Sequence, residues 1–227
     1  MTGRAGIVFD NDGLLLDTEP CWTRAQEQVF ERHGRTFDLE AKRALVGTAP
    51  ATAPPVLERL LELPGRGAEA SAEMYELAVH EISAGAEPRP GALELLGAVG
   101  TRWPLAVASN APRRHLLAGL TRTGLLDAFE VKLGSEDAAL PKPAPDLYLR
   151  ACQLLDVTPE RSVALEDSPP GVAAARAAGL FVVGVPSVPG VVLEADRVFD
   201  SLADPLLPGV IEGVLQTGRE PSNTRKE

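Results

Sequence analysis

Five short runs of branched and apolar residues recur along the chain, at Ala5 to Phe9, Leu105 to Ala108, Val131 to Leu133, Ser162 to Leu165 and Phe181 to Val185. Each reads as a strand buried on both faces, because it is short, almost wholly apolar and rich in β-branched residues. Segments with helical spacing lie between them, at Ala92 to Val99, Arg113 to Thr123, Ala144 to Leu155 and Gly171 to Ala178. Strand runs alternating with helical patterns predict an α/β chain, a doubly wound, Rossmann-like parallel sheet covered by helices.

One stretch breaks the rhythm. From Thr18 to Glu87 no strand run occurs, but helix-like segments span Trp22 to His33, Leu39 to Leu45, Ala53 to Leu63 and Ala68 to Ser83. Pro54-Pro55, Pro64-Gly65 and Pro88-Arg89-Pro90-Gly91 punctuate them. The simplest organisation is an all-helical domain over 18–87, inserted after the first strand with hinges near Leu16 to Pro20 and Glu87 to Pro90. The α/β core then comprises 1–17 and 88–216. The polar, aperiodic stretch 217–227 is expected to be a frayed tail.

Composition narrows the function classes. With 227 residues, 44% of them hydrophobic and 24% charged, the chain has enough material for a full core. It contains no apolar run near the roughly 20 residues that cross a bilayer. A strand-like run begins within a few residues of Met1, leaving no room for a signal segment, so a cytoplasmic protein without membrane partners is expected. Cys21 and Cys152 lie far apart, which suits reduced thiols. A net charge of −10 disfavours nucleic acid as a partner and is compatible with metal binding. Nothing demands a dimer, and a monomer is the expectation. Only Lys42, Lys132, Lys142 and Lys226 are lysines among 22 basic residues, so each lysine is an uncommon choice.

In doubly wound sheets the ligand crevice lies beyond the carboxyl ends of the strands. Asp10 and Asp12 follow Ile7-Val8-Phe9, Ser109-Asn110 follow the second run, and Glu166-Asp167-Ser168 follow Val163 to Leu165. Lys142 sits in the loop beyond Val131 to Leu133. Four strand ends thus deliver two aspartates, a hydroxyl and amide, an ammonium and an acid pair to one edge. Asp10 and Asp12 start from the same face of an extended chain, and Gly13 permits a sharp turn after them. One carboxylate could attack phosphorus while the second handles the proton of the leaving oxygen and then of water. Mg²⁺, a hard oxygen-seeking ion, suits Asp10, a backbone oxygen at Asp12, Glu166 and Asp167. Lys142 and Ser109 could hold the transferring oxygens. Each piece alone has a plainer reading, whether turn, helix cap or solvated loop. Their joint occurrence at successive strand ends selects the chemical one.

These motifs carry a resemblance. The run from Phe9 to Glu19, then Ala108-Ser109-Asn110, Pro141-Lys142-Pro143, and Leu165-Glu166-Asp167-Ser168 with Gly171, resemble the four motifs of the haloacid dehalogenase superfamily of phosphohydrolases. The match is to the branch with a helical cap after the first strand, and it runs in family order from about residue 5 to 215. The resemblance implies Asp10 as nucleophile, Asp12 as general acid and base, and Ser109, Asn110 and Lys142 as phosphate-binding. It places Asp10, Asp12, Glu166 and Asp167 around Mg²⁺, and a small phosphorylated metabolite as substrate. Within the family the chain looks most like phosphatases of small sugar phosphates, such as 2-deoxyglucose 6-phosphate, and like β-phosphoglucomutase.

Asn11 stands where the family usually has an apolar residue, and only a local packing change is expected there. In the mutases an arginine follows a cap glycine. Here Gly47 is followed by Thr48-Ala49-Pro50-Ala51, and the helix around Met74 to Glu81 lacks a lysine, so the phosphatase side is favoured. A phosphosugar mutase and a non-catalytic phosphosugar-binding regulator are the alternatives. His33, His80 and His115 are read as surface or helix residues, Trp22, Phe30 and Trp103 as packing, and Arg113 as a surface residue close to the crevice.

Overall fold

The computed structural model describes residues 3–45, 48 and 50–217. In chain order the elements are β1 (Ile7–Phe9), β2 (Leu16–Asp17), α1 (Glu19–Arg32), α2 (Leu39–Leu45), α3 (Ala53–Leu61), α4 (Gly67–Gly85) and β3 (Glu87–Pro88). There follow α5 (Ala92–Val99), β4 (Leu105–Ala108), α6 (Arg113–Thr123), β5 (Val131–Leu133), α7 (Asp146–Leu155) and β6 (Val163–Glu166). The chain ends with α8 (Pro169–Ala177), β7 (Phe181–Gly184), β8 (Arg197–Val198) and α9 (Leu207–Thr217).

Six strands form a parallel sheet in the order β5-β4-β1-β6-β7-β8. The expected α/β fold is therefore present, and the strand order reverses between β1 and β6, where such sheets open a crevice. Side chains alternate across the sheet, as strand geometry requires. Ile7 and Phe9, Leu105 and Val107, and Val163 and Leu165 pack with α5, α6 and α9. Val8, Ala106, Ala108, Ala164 and Val182 face α7 and α8. The alanines leave room on that second face for the fully buried Tyr148 of α7.

Helices α1 to α4 have a hydrophobic cluster of their own, built from Val29, Phe30, Leu57, Leu61, Met74 and their neighbours. The chain enters and leaves them through a two-stranded antiparallel ribbon, in which Leu16 pairs with Pro88 and Asp17 with Glu87. Sequence patterns gave no hint of this ribbon, because two-residue strands show no periodicity and Glu and Pro are poor strand formers. Helix α1 starts at Glu19, three residues earlier than its apolar pattern, with Pro20 in the first turn where its missing N–H costs nothing. Helix α9 was hidden by Pro208-Gly209 in its first turn. Cys21 and Cys152 are buried and unpaired. Among the described residues no helix is long and apolar enough to cross a membrane. The tail expected over 217–227, and the expectations for Gly47 and Ala49, fall on residues outside the described ones, Thr217 excepted.

Candidate active site

Register brings the strand ends level. Phe9 pairs with Val107 on one side and Leu165 on the other, so Asp10, Ala108-Ser109 and Glu166 emerge together. The Asp10 N–H donates to the Leu165 carbonyl at 3.0 Å, which ties the loop carrying Asp10 and Asp12 to β6 at the point where strand order reverses.

Lys142 is the hub. Its Nζ donates to Asp10 Oδ1 at 2.5 Å, Glu166 Oε1 at 2.6 Å and the Ala108 carbonyl at 2.9 Å, with the Tyr148 hydroxyl oxygen at 3.3 Å as a fourth acceptor sharing its three N–H groups. It is 7% exposed and lies 4.9 Å from the Tyr148 ring centroid. Burial alone would push this ammonium toward neutrality, but Asp10 and Glu166 beside it hold it well above the ordinary lysine range. Asn110 fixes the loop that carries it: Asn110 Oδ1 accepts from the Lys142 N–H at 2.9 Å, and Nδ2 donates to the Lys142 carbonyl at 3.3 Å.

Glu166 is fully buried and saturated. Its Oε1 accepts from Lys142 and from the Tyr148 hydroxyl at 2.6 Å, and Oε2 accepts from the Ser168 hydroxyl and the Asp167 N–H, both at 3.1 Å. Gly171 makes room for it, since a Cβ there would lie 1.9 Å from Glu166 Cδ. Asp167 Oδ2 accepts from the Ser187 hydroxyl and packs against Gly13, where φ is +89° and a Cβ would approach to 2.3 Å. Both contacts require glycine.

The Asp12 carboxylate is held separately. The Thr18 hydroxyl donates to Oδ1 at 2.7 Å and the Ser109 hydroxyl to Oδ2 at 2.8 Å, while Ser109 Oγ accepts from the Ala111 N–H. Asp12 thus stands apart from the cluster of Asp10, Glu166 and Asp167, whose carboxylate oxygens all lie within 4.8 Å of one another.

Three buried carboxylates against one ammonium leave two excess negative charges, and hard oxygen donors of that charge suit a divalent cation. Without such an ion the cluster resists ionisation. Burial, with Glu166, Asp167 and Asp12 adding to it, pushes Asp10 well above the carboxylate range even against Lys142. Burial first, then Glu166, raises Asp167 to about 7. An unfolded Asp titrates near 3.8, so ionising Asp167 weighs on the metal-free fold as pH rises from about 4, and the full penalty is present above about 7. Asp167→Asn should therefore stabilise the metal-free protein by about 2–4 kcal/mol at pH 8 and by little at pH 4. Thermal melts in chelator at the two pH values measure this, and a variant no more stable than the parent at pH 8 would refute it.

Seven residues singled out in the sequence, Asp10, Asp12, Ser109, Asn110, Lys142, Glu166 and Asp167, meet in this region. Thr18, Tyr148 and Ser187 complete it. Thr18 carried a signal, since it sits in the first motif, whereas Tyr148 lies in a helix and Ser187 beyond β7 with no mark of their partners. Asn11 is buried; its carbonyl accepts from the Leu15 and Leu16 N–H groups, and its Oδ1 has no partner among the described residues. Arg113 is exposed and pairs with Asp137 at 3.2 Å. His80 lies on the surface and His33 pairs with Glu73 at 3.1 Å. His115 is a helix residue, in α6, but not a surface one: it is 1% exposed and stacked on Trp22, a placement that depends on contact between distant helices.

Comparison with known proteins gives a consistent picture. The chain is 34% identical over 180 residues to the phosphorylated carbohydrates phosphatase of Thermotoga maritima, covering 77% of this chain and 81% of that one. It is 31% identical over 188 residues to the fructose-1-phosphate phosphatase YqaB of Escherichia coli, covering 80% and 96%. The crystal structure of CbbY from Rhodobacter sphaeroides in complex with phosphate superposes with a TM-score of 0.77 at 30% identity, over 89% of this chain and 96% of that one. A putative β-phosphoglucomutase structure from Thermotoga maritima gives 0.71 at 28% identity, over 94% and 97%. The family model of haloacid dehalogenase-like hydrolases matches residues 5–179, spanning every site residue from Asp10 to Asp167, and the chain belongs to that family of hydrolases.

Proposed function

We propose that this hydrolase is a Mg²⁺-dependent phosphatase of small phosphate monoesters, sugar or alditol phosphates, working through an aspartyl-phosphate on Asp10. The observation that supports it most strongly is the division of labour among the carboxylates. Asp10 lies with Lys142 in a charged cluster, and Asp12 is held apart by two hydroxyls. A nucleophile and a proton carrier need these two different environments. The names of the relatives point to the same substrate class.

Lys142 occupies Asp10 Oδ1 and leaves Oδ2 to attack phosphorus in line with the departing alkoxide. Asp12 protonates that oxygen. It then takes a proton from the water that attacks the phosphoaspartate, releasing phosphate and restoring Asp10. Ser109 and Lys142, whose donors rest on Asp12 and on Asp10, Glu166 and Ala108, would each turn one toward the transferring oxygens when substrate binds, while Asn110 and Glu166 position Lys142. Asp10, Asp167 and the main-chain oxygen of Asp12 would hold Mg²⁺, with Glu166 as the nearest further carboxylate. When bound, the ion neutralises the cluster and draws charge from the phosphoryl oxygens. We assign the helical insertion, 18–87, the role of a cap that excludes water and selects the substrate, and the cytoplasm as the place of action.

The test is phosphate release from a panel of sugar, alditol and glycolate phosphates, with Mg²⁺ and with chelator. Release from the sugar or alditol members is expected with Mg²⁺, falling to background in chelator and returning on adding the ion. No release from any member would reject the proposal. A mutase would instead interconvert hexose 1- and 6-phosphates with a bisphosphate and no net release, and a regulator would bind without turnover.

A further inference from the structure

Helix α4 of the insertion lies along α6 of the core, and the seam is centred on His115. His115 Nε2 lies 2.8 Å from the Tyr75 carbonyl oxygen on α4. The Trp22 ring of α1 stacks on the imidazole, with centroids 5.2 Å apart and planes 10° from parallel, and the Tyr75 ring meets it edge-on at 5.4 Å. Elsewhere on the seam Glu76 pairs with Arg114, and Arg122 Nε donates to the Ala84 carbonyl at 3.3 Å. A carbonyl only accepts, so Nε2 carries the proton of the neutral ring. The other nitrogen, Nδ1, is buried and has no partner among the described residues. A neutral ring leaves a bare lone pair there. A protonated ring would place an N–H and a positive charge in the same closed space without an acceptor, which a buried site strongly opposes.

We propose that His115 is a pH-dependent latch between cap and core: its neutral ring holds α4 against α6, and protonation at Nδ1 releases it. The charged groups that act on the ring are Arg114 on its own helix, Glu76 on α4 and Asp12 in the catalytic loop. Burial lowers its proton affinity first; the bond to the Tyr75 carbonyl opposes that, Arg114 reinforces it, and Asp12 and Glu76 oppose it, with a net lowering below the ordinary 6.5. The undocked ring, in water, keeps the ordinary value. Docking is therefore at full strength above about pH 6.5 and weakens below it, by up to tenfold in the docked-to-undocked ratio per pH unit, until the docked ring itself titrates. The β2–β3 ribbon is the joint about which the released cap would move.

Trp22 reports the latch directly, and the readout does not depend on catalysis, so it stands or falls apart from the phosphatase reading. Trp103 is the second tryptophan, and its buried Nε1 is unpartnered among the described residues, so Trp103→Phe removes the competing emission and an unsatisfied donor while keeping an aromatic ring packed on the core. In that background, quenching of Trp22 by acrylamide should rise as pH is lowered from about 7.5 to about 5, across the ordinary range of imidazole titration. Adding His115→Phe, which keeps an aromatic ring but cannot titrate, should make the quenching flat over the same range, with far-UV circular dichroism unchanged. Should that variant fail to fold, His115→Gln, which retains a donor toward the Tyr75 carbonyl, gives the same flat expectation. An equal rise in the His115 variants, or a flat response with His115 present, would overturn the latch.

Discussion

Asp10→Asn is expected to lower kcat by about 10⁴- to 10⁶-fold, the range seen when a nucleophile is removed from a covalent mechanism. A carboxamide has the shape of the carboxylate without its attacking oxygen, and the rest of the site is untouched. The same change should leave the fold at least as stable. Burial and the neighbouring carboxylates hold Asp10 well above the ordinary carboxylate range, so removing its charge relieves the metal-free cluster. Stopped turnover with an unchanged or raised melting temperature in chelator is thus the expected pair. A mass increment of one phosphoryl group, found after acid quench in the parent and missing in the variant, would identify the intermediate. Turnover within tenfold of the parent would reject Asp10 as nucleophile.

Lys142→Met should damage stability and rate together. The ammonium is the shared counter-charge of Asp10 and Glu166, and breaking such a buried pair costs about 3–5 kcal/mol because the remaining charges have no partner. That cost belongs to ionised carboxylates. In the variant Asp10, already held above the ordinary carboxylate range, loses its neighbouring ammonium and its proton affinity rises further, so the penalty is greatest at pH 8 and shrinks as the pH falls and Asp10 takes up its proton. Turnover should fall at least about 10²- to 10³-fold, the loss typical of removing one donor to a developing negative charge. Thermal melts at pH 5 and pH 8, with phosphate release at pH 7, measure both effects. A penalty equal at the two pH values would show that the residue matters for packing rather than charge.

Much of this site was legible because parallel sheets put their chemistry at strand ends. Asp10, Asp12, Ser109 and Glu166-Asp167 each follow directly on an apolar run, and Lys142 stood out as one of four lysines. What could not be read depends on side chains reaching across the fold. Tyr148 occupies an ordinary core position of α7, yet its hydroxyl reaches Glu166. Ser187 closes on Asp167 from the loop beyond β7. His115 looked like any helical histidine until α4 was laid over it. Glu166 and Asn110 show a subtler gap: their motifs belong near phosphate and metal, but in the folded chain their side chains are committed to Lys142, which no sequence pattern marks.

The β2–β3 ribbon has a consequence for how such proteins diversify. Leu16 faces Pro88 and Asp17 faces Glu87, so the two ends of a helical segment of some seventy residues stand one strand spacing, about 5 Å, apart. A short turn could bridge that gap. The order of the sheet does not depend on what is spliced there, provided Thr18 still reaches Asp12 and the inserted helices still cover His115 on α6. Helices of another length, or of another surface chemistry, can be grafted at this joint while Asp10 and Lys142 stay in register. If the insertion selects the substrate as proposed, a new specificity then needs an exchanged module and not a rebuilt reaction centre.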